Sequence, residues 1–595
     1  MPQPGATRGL SPLTRLGLIC IALLCVVPFL QPYHRYPLTG FYSEWLAFVL
    51  GMGVMAPLLE RRSWQAAGVP WLAFAPFALA FLLVVHGALD WSPYFGQALT
   101  GALYLIWAGM LVIAARALAQ ACGPTTVYAA LAAGLAAGGL LSVLAGVIQH
   151  FNLVTPLNAF IARPGSAAIF GNLGQANHFA THATLGLLSL TYLYAVGRVP
   201  VVAGVVAAVP MLFVLGLSGS RSVLLYLVAA FALAAWLRKA DEDRSARRLF
   251  MATGAFIIAY YVMQLLVDAG WFRVVSRDSI TAVERLFSGA TSVTERFSLW
   301  RAAWAMTLEH PLAGVGWGGF STHYFNYITA LDATGLYQLY HHAHNIVLQL
   351  LAETGVPGAL LVLVPVAAWL QNVWTGVRGA AQWWLLALAA VLGLHSLLEF
   401  PLWYAYFLGP AALLLGAAPV RVFMPRLERI GPLLAAALLG VGIFNLVTLW
   451  LDYRDFERVF HSRTEPLRGN IVTGEVTGES TAETMRRLHR NPVLTPYIEL
   501  ASALPLAADA ADLDARRFIT ERTLRFAPLA TLAYREVLLL ALADRPGEAL
   551  ALLLRARRAY PAAPPEFARD LDRLAREHPA RMRPLVESGL LSADP

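Results

Sequence analysis

Three imidazoles and a carboxamide stand together in "YHHAHNIVLQLLAETGVPG" (340–358), directly ahead of an apolar run. Imidazole changes charge near neutral pH, so it can take a proton from an attacking hydroxyl. His342 and His344 are the candidate bases, with His341 beside them. Asn345 can cap the helix that begins there or orient a neighbouring imidazole. Glu353 lies further along the same run. The plainer reading is that histidines simply sit in the polar interface of a membrane. Two imidazoles spaced as His342 and His344 are could also seat a metal, but the third ligand nearest in kind, Asp332, is distant in sequence. No metal is expected.

Arginine supplies the complementary chemistry. Arg221 follows Gly and Ser in "GLSGSRS" (216–222), and Arg296 and Arg301 lie five apart in "TERFSLWRAAW", a stretch with the pattern of an amphipathic helix. Guanidinium groups fork onto phosphate oxygens, and helix N-termini assist them. The alternative is that these arginines snorkel to headgroups or pair with Glu295 and Asp278. In "FGNLGQANHFATH" (170–182), Asn172, Gln175, Asn177 and His178 surround two glycines. Short amides on such a turn suit sugar hydroxyls or a pyrophosphate, and equally a turn that satisfies itself. "HSLLEFPLWYAY" (395–406) sets Glu399 at a helix end before Pro401, with Trp403, Tyr404 and Tyr406 following. Interfacial aromatics need no function, whereas a carboxylate there can orient a histidine or bind a cation.

These residues must be carried by a membrane protein. Hydrophobic residues make up 58% of the chain and charged residues 13%, with a mean hydropathy of +0.59; no soluble domain buries that fraction. A spanning helix needs about 20 apolar residues, and about thirteen such stretches occur, near 16–30, 41–59, 69–86, 95–115, 125–149, 178–197, 199–217, 222–237, 249–267, 345–371, 382–398, 402–418 and 431–451. Long apolar runs separated by Gly and Pro favour helices over an outer-membrane barrel. The first stretch follows Arg8 and Arg15 but lacks a small-residue cleavage site, so it reads as a retained helix. Cys20, Cys25 and Cys122 have no ligand or disulfide spacing. The formal charge of +8 rests almost wholly on arginine, Lys239 being the one lysine, and no motif points to nucleic acid.

Basic residues mark the cytoplasmic loops of such a protein. With the N terminus inside, the inner loops collect Arg61/Arg62, Arg116, Arg198, the cluster from Arg238 to Arg248, Arg378, and Arg421/Arg426/Arg429. All four chemical motifs then fall on the outer face, although more than two hundred positions separate them. Four regions follow: N-terminal spans and their loops over 1–267, a large outer loop with the histidine motif over 268–344, C-terminal spans over 345–451, and a soluble helical tail over 452–595. In the tail, "RPGEALALLLRARRAYP" (545–561) has the second half of a tetratricopeptide-like repeat, at Ala549, Ala556 and Pro561. Its expected use is docking.

"GNLGQANHFATH", "SGSRS", "ERFSLWRAAWAMTLEHPLAGVGWGGF", "HHAHNIVLQLLAETGVPG" and "LLEFPLWYAYFL" together resemble the bacterial PglL-type O-oligosaccharyltransferases, which sit with the O-antigen ligases and Wzy-like polymerases. The resemblance covers most of residues 30–420, with the tail matching loosely. It implies an all-α polytopic protein of about 12–14 transmembrane helices, GT-C-like, with a long periplasmic loop and a TPR-like periplasmic domain, in the bacterial inner membrane. It implies a glycosyltransferase that moves a glycan en bloc from undecaprenyl pyrophosphate to Ser or Thr of a periplasmic acceptor such as a pilin, inverting and without metal or other cofactor. Its partners would be that lipid-linked glycan, the acceptor and membrane lipids, with no nucleic acid. By motif, His344 resembles the essential histidine, with His342 two residues away left open. Arg221 and Arg296 resemble pyrophosphate-holding arginines, and Arg301 is grouped with them. Gln175 and Tyr404 resemble further residues tied to activity, with Asn172, Asn177, His178, Asn345 and Glu399 assigned to glycan or acceptor. An O-antigen ligase acting on lipid A–core and an O-antigen polymerase share the chemistry and differ in acceptor. A transporter or flippase would bury charge mid-span, whereas here the spans are nearly free of charge and the polar groups gather on one rim.

Overall fold

The computed structural model describes residues 9–590 except 67, 163–168, 241–242, 272–289, 330–339, 425 and 465–480. Asp278 and Asp332 lie outside the described residues. Every apolar stretch predicted from the sequence coincides with a helix. Among the described residues, nine helices are long and apolar enough to cross a bilayer, and Phe41–Val54, Val201–Leu217 and Ala405–Ala417 are shorter apolar helices. Extended pairing among the described residues is confined to Val69–Pro70 against Val422–Phe423. The chain divides into two compact units.

The first unit comprises residues 1–77, 104–290 and 362–448. The Ala176–Ala195 helix is buried along nearly its whole length, although it carries His178, Thr181, His182, Thr184, Ser189 and Thr191. A helix of that polarity is tolerated inside a membrane protein where neighbours satisfy most of its polar groups. His182 does so through Ser142 Oγ at 3.1 Å and the Cys25 carbonyl at 3.2 Å, stacked on Phe29. Ser189 Oγ accepts from Trp384 Nε1 at 3.1 Å, and Trp383 Nε1 donates to the Ala230 carbonyl at 2.9 Å. Thr184 and Thr191 donate back to carbonyls one turn earlier in their own helix. Against the Pro124–His150 helix, a Cβ added at Gly186 would meet the Leu135 carbonyl oxygen at 2.8 Å. The backbones therefore approach as closely as membrane helices do at small residues.

The second unit comprises residues 78–103, 291–361 and 449–595. Here the segment 299–328 and the C-terminal tail share one apolar core. Leu299, Met306, Phe320, Tyr324 and Ile328 from that segment cluster with Leu532, Leu539, Leu553, Leu574 and Leu585 from the tail. The tail forms antiparallel helices, among them Leu513–Phe526, Ala530–Leu542 and Pro546–Ala559. Ala549 and Ala556, the small positions of the repeat-like pattern, are fully buried, as close helix contact requires.

One expected element differs. The apolar stretch 345–371 is a single run in sequence, but the Ile346–Gly376 helix breaks at Gly355, whose φ is 65°. A Cβ there would meet the Leu312 backbone at 2.6 Å, so the 311–316 segment crosses the break backbone to backbone. Val315 N donates to Ala352 O and Val356 N to Pro311 O, each at 2.8 Å, re-satisfying groups the break exposes. Gln349 and Glu353 therefore lie in a short leading segment tied to the loop.

Candidate active site

In the first unit the Ala176–Ala195 and Ser222–Ala240 helices are registered to each other by Thr181 Oγ1 and Tyr226 OH, 3.2 Å apart. One turn before each of these residues stand Asn177 and Ser222, so the N-terminal turns that follow Gln175 and Arg221 share one end of the bundle. The Gly379–Leu398 helix reaches the same end, where Asn177 Nδ2 donates to Glu399 Oε1 at 3.2 Å. Glu399 is buried. The His178 ring lies 4.8 Å from that of Tyr404 and 5.3 Å from that of His395, with the Tyr406 hydroxyl 3.5 Å from its Nδ1. Three of the four sequence motifs thus meet on one rim of this unit. Backbone N–H groups at the two helix starts, with half-buried Arg221 immediately ahead of the second, make that rim suited to an anion.

The turn before this rim is built by Asn172. Its Oδ1 accepts from Ala162 N at 2.9 Å, and its Nδ2 donates to the carbonyls of Leu30 at 2.6 Å and Phe160 at 2.7 Å. Its carbonyl accepts from His34 Nε2 at 2.6 Å. Both amide donors are spent, so of the two readings open at this turn Asn172 follows the self-satisfied one and acts as a staple. Gln175 occupies the N-cap position without a capping bond from its side chain, leaving its amide half-buried beside the rim.

Two residues here were outside the candidates read from the sequence. His395 is fully buried, and neither ring nitrogen has a hydrogen-bond partner among the described residues; the same holds for His178 Nε2. Glu44 Oε2 accepts from Ala405 N at 2.6 Å and Tyr104 OH at 3.0 Å, so it caps the helix that follows Tyr404. Isolated polar residues in apolar runs reveal such partners only once the helices are assembled.

In the second unit the histidine loop is clamped at Ala343. Its N–H donates to Gln349 Oε1 at 2.7 Å, and its carbonyl accepts from Trp300 Nε1 at 3.0 Å. Asn345 Oδ1 accepts from Val347 N at 3.1 Å and Leu348 N at 3.2 Å, the capping role foreseen as one of two. Between these anchors His344 takes a left-handed backbone, φ 52°. That conformation costs a non-glycine residue roughly 1–2 kcal/mol and persists where surroundings over-determine it. The Tyr340 ring lies 6.4 Å from the His344 ring. Desolvation, then the imidazoles of His341 and His344, push the half-buried His342 well below the ordinary histidine range, which keeps it neutral.

The Ala290–Glu309 helix separates the two arginines grouped from the sequence. Arg296 is one turn before Trp300 and shares the face that meets the loop, since residues four apart on a helix are neighbours. Arg301 is exposed on the face that also presents Phe297, Trp304 and Leu308 to the outside. Five residues advance a helix by about 1.4 turns, so Arg301 stands about 140° round the helix from Arg296. Exposed Trp, Phe, Leu and Arg on one face is the composition of a helix lying at a membrane surface. Glu353 Oε1 accepts from Phe320 N at 3.2 Å and fixes the following Phe320–Tyr327 helix to the histidine segment.

Known families match the stretches that build both sets of residues. The O-antigen ligase profile matches residues 206–363, the C-terminal profile of virulence factor membrane-bound polymerases matches 383–574, and a protein glycosylation ligase profile matches 169–194. The chain is 24% identical to a general O-oligosaccharyltransferase of Acinetobacter baylyi over 448 residues, 74% of this chain and 76% of that protein. It is 24% identical to a ComP-specific O-oligosaccharyltransferase of the same organism over 245 residues, 41% of this chain and 43% of that one.

Proposed function

We infer that this chain, a glycosyltransferase of the O-antigen ligase superfamily resembling its PglL-type O-oligosaccharyltransferases, glycosylates proteins by transferring a lipid-linked glycan to Ser or Thr hydroxyls of a periplasmic acceptor. The carrier of the glycan is undecaprenyl pyrophosphate, and the acceptor is pilin-like. The protein sits in the inner membrane with its chemistry on the periplasmic face, in keeping with the distribution of basic loops.

The observation that carries this reading is the clamped histidine loop, with Arg296 one helical turn from the clamping Trp300. The imidazole of His344, with His342 beside it, accepts the proton of the attacking hydroxyl. Arg296 and Arg221 offset the negative charge that grows on the departing pyrophosphate, work that fixed guanidinium groups do without a metal. The hydroxyl attacks the anomeric carbon in line, so the configuration inverts. Asn177, Glu399, Gln175 and Tyr404 offer the donors and acceptors that glycan hydroxyls need. Apolar spans hold the polyprenyl tail and keep the reactive head near the bilayer surface.

The polymerase profile over 383–574 favours one second reading, in which the acceptor is another lipid-linked glycan. A single experiment separates the acceptors. Purified chain is given one undecaprenyl-pyrophosphate-linked glycan together with pilin, lipid A–core or more lipid-linked glycan, each in turn. Glycosylated pilin is expected. Product in either of the other arms alone would replace this reading with ligase or polymerase.

A further inference from the structure

Away from the histidine loop, the second unit contains a cavity of about 290 Å³ walled by the Phe320–Tyr327 helix and by the tail helices Leu513–Phe526, Ala530–Leu542 and Pro546–Ala559. Its floor is apolar, at Phe325, Leu540 and Leu552. Its polar groups are disposed on more than one wall. Glu536 is 4% exposed; its Oε1 takes a long contact from Arg517 Nε at 3.4 Å, while its buried Oε2 accepts no hydrogen bond among the described residues. A buried carboxylate oxygen without a donor is costly and therefore rare. Burial pushes the Glu536 carboxyl up to about 7, against the lowering effect of Arg517. Elsewhere on the lining Arg555 spends one of its N–H donors on Asn326 Oδ1 at 2.8 Å.

The site therefore offers an acceptor at Glu536, donors at Arg517 and Arg555, and apolar surface below. A simple anion meets Glu536, and a simple cation meets the arginines. An extended polypeptide supplies both halves of the match, with N–H and C=O groups along its edges and side chains for the floor. The volume is at the low end for ligand cavities, roughly 300–1,000 Å³, which suits a few residues better than a multi-sugar glycan. The helix that carries Phe325 and Asn326 begins at Phe320, whose amide is held by Glu353 of the histidine segment. An occupant of the cavity thus touches a helix anchored to the candidate catalytic loop.

We propose that this cavity is an acceptor-recognition subsite that binds a short extended stretch of the acceptor polypeptide, remote from the hydroxyl that receives the glycan. The proposal rests on the reading that the acceptor is a protein. It assigns Glu536 and Arg555 to recognition and leaves the transfer step to the residues described above.

The test uses the full chain in lipid nanodiscs, the lipid-linked donor, and the pilin of the acceptor comparison. Arg555→Ala and Glu536→Gln are expected to raise KM for pilin and its donor-free Kd about tenfold each, the scale of a modest hot spot, with kcat at saturating pilin moving less than about twofold. Asn326→Trp, on an exposed residue at the wall, should do the same by filling the space, and it guards against a variant that fails to fold. Unchanged Kd and KM for pilin in all three variants would overturn the proposal, as would a rise in KM for the lipid-linked glycan alone. Wild-type chain that neither binds nor glycosylates pilin removes the functional reading and this inference together. Wild-type transfer with unaffected variants removes this inference alone.

Discussion

Gln349 Oε1 accepts the amide hydrogen of Ala343 at 2.7 Å, so a side chain on the helix holds the loop that precedes it, on the residue next to His344. Gln349 is buried, and the bond closes over a His344 backbone that would otherwise leave the left-handed region. Removing one partner of a buried bond costs about 1–3 kcal/mol. Gln349→Ala is therefore expected to lower kcat for transfer by about tenfold or more while leaving KM for the lipid-linked donor near its original value. The exchange pair Gln349→Glu with Glu353→Gln keeps both accepting oxygens and adds no second carboxyl, and should recover most of the rate. Steady-state kinetics on both variants decide this, and equal loss in the two would mean that the bond to Ala343 is not what matters.

His344→Ala should abolish transfer to pilin while protein abundance and donor binding stay close to wild type. Donor binding is measured directly, with transfer assayed in parallel from purified lipid-linked glycan. Full activity in the variant would remove the assigned base. Asn345→Ala, by contrast, removes a cap worth about 1 kcal/mol and should show as lost protection at the start of the helix, with partial activity.

Arg221→Lys keeps the charge and loses the fork. The expected outcome is a large rise in KM for the lipid-linked donor with little change in KM for pilin. Equal effects on both substrates would point to misfolding of the rim rather than to pyrophosphate binding.

The histidine loop should loosen in acid. His342 has a folded pKa below its unfolded value near 6.5, so the folded loop binds fewer protons than the unfolded one. The stability it contributes is fully present above about pH 6.5 and is lost as pH falls below that toward the folded value. Hydrogen exchange over 340–350, corrected for intrinsic rates, should show protection falling between about pH 7 and pH 5. His342→Gln should flatten that dependence; a wild-type profile already flat would contradict it.

Much of the fold was legible because hydropathy acts over whole spans: each of the apolar stretches is a helix. The interruption at Gly355 was not, since Gly and Pro inside an apolar run look the same whether they flex a span or end a segment. The motif residues Arg221, Asn177, His178 and Glu399 announced themselves by chemistry. Trp300, Gln349, Glu44 and His395 did not, because an isolated polar or indole group carries meaning only through partners far along the chain, such as Ala343 for Trp300 and Ala405 for Glu44. Arg296 and Arg301 are near in sequence but about 140° apart on their helix, a separation that spacing gives only once the segment is known to be helical. The shared core of loop and tail is likewise a tertiary fact, with no pattern in either segment naming the other.

We propose that Arg221 and His344 both lie on the periplasmic side of the membrane. The direct measurement places single cysteines at 221 and 344, in a chain whose Cys20, Cys25 and Cys122 are serine, and labels them with a membrane-impermeant maleimide in intact spheroplasts and in inverted vesicles. Labelling of both positions in spheroplasts, and of neither in inverted vesicles, is the result predicted. Labelling of the two positions from opposite sides would contradict the account.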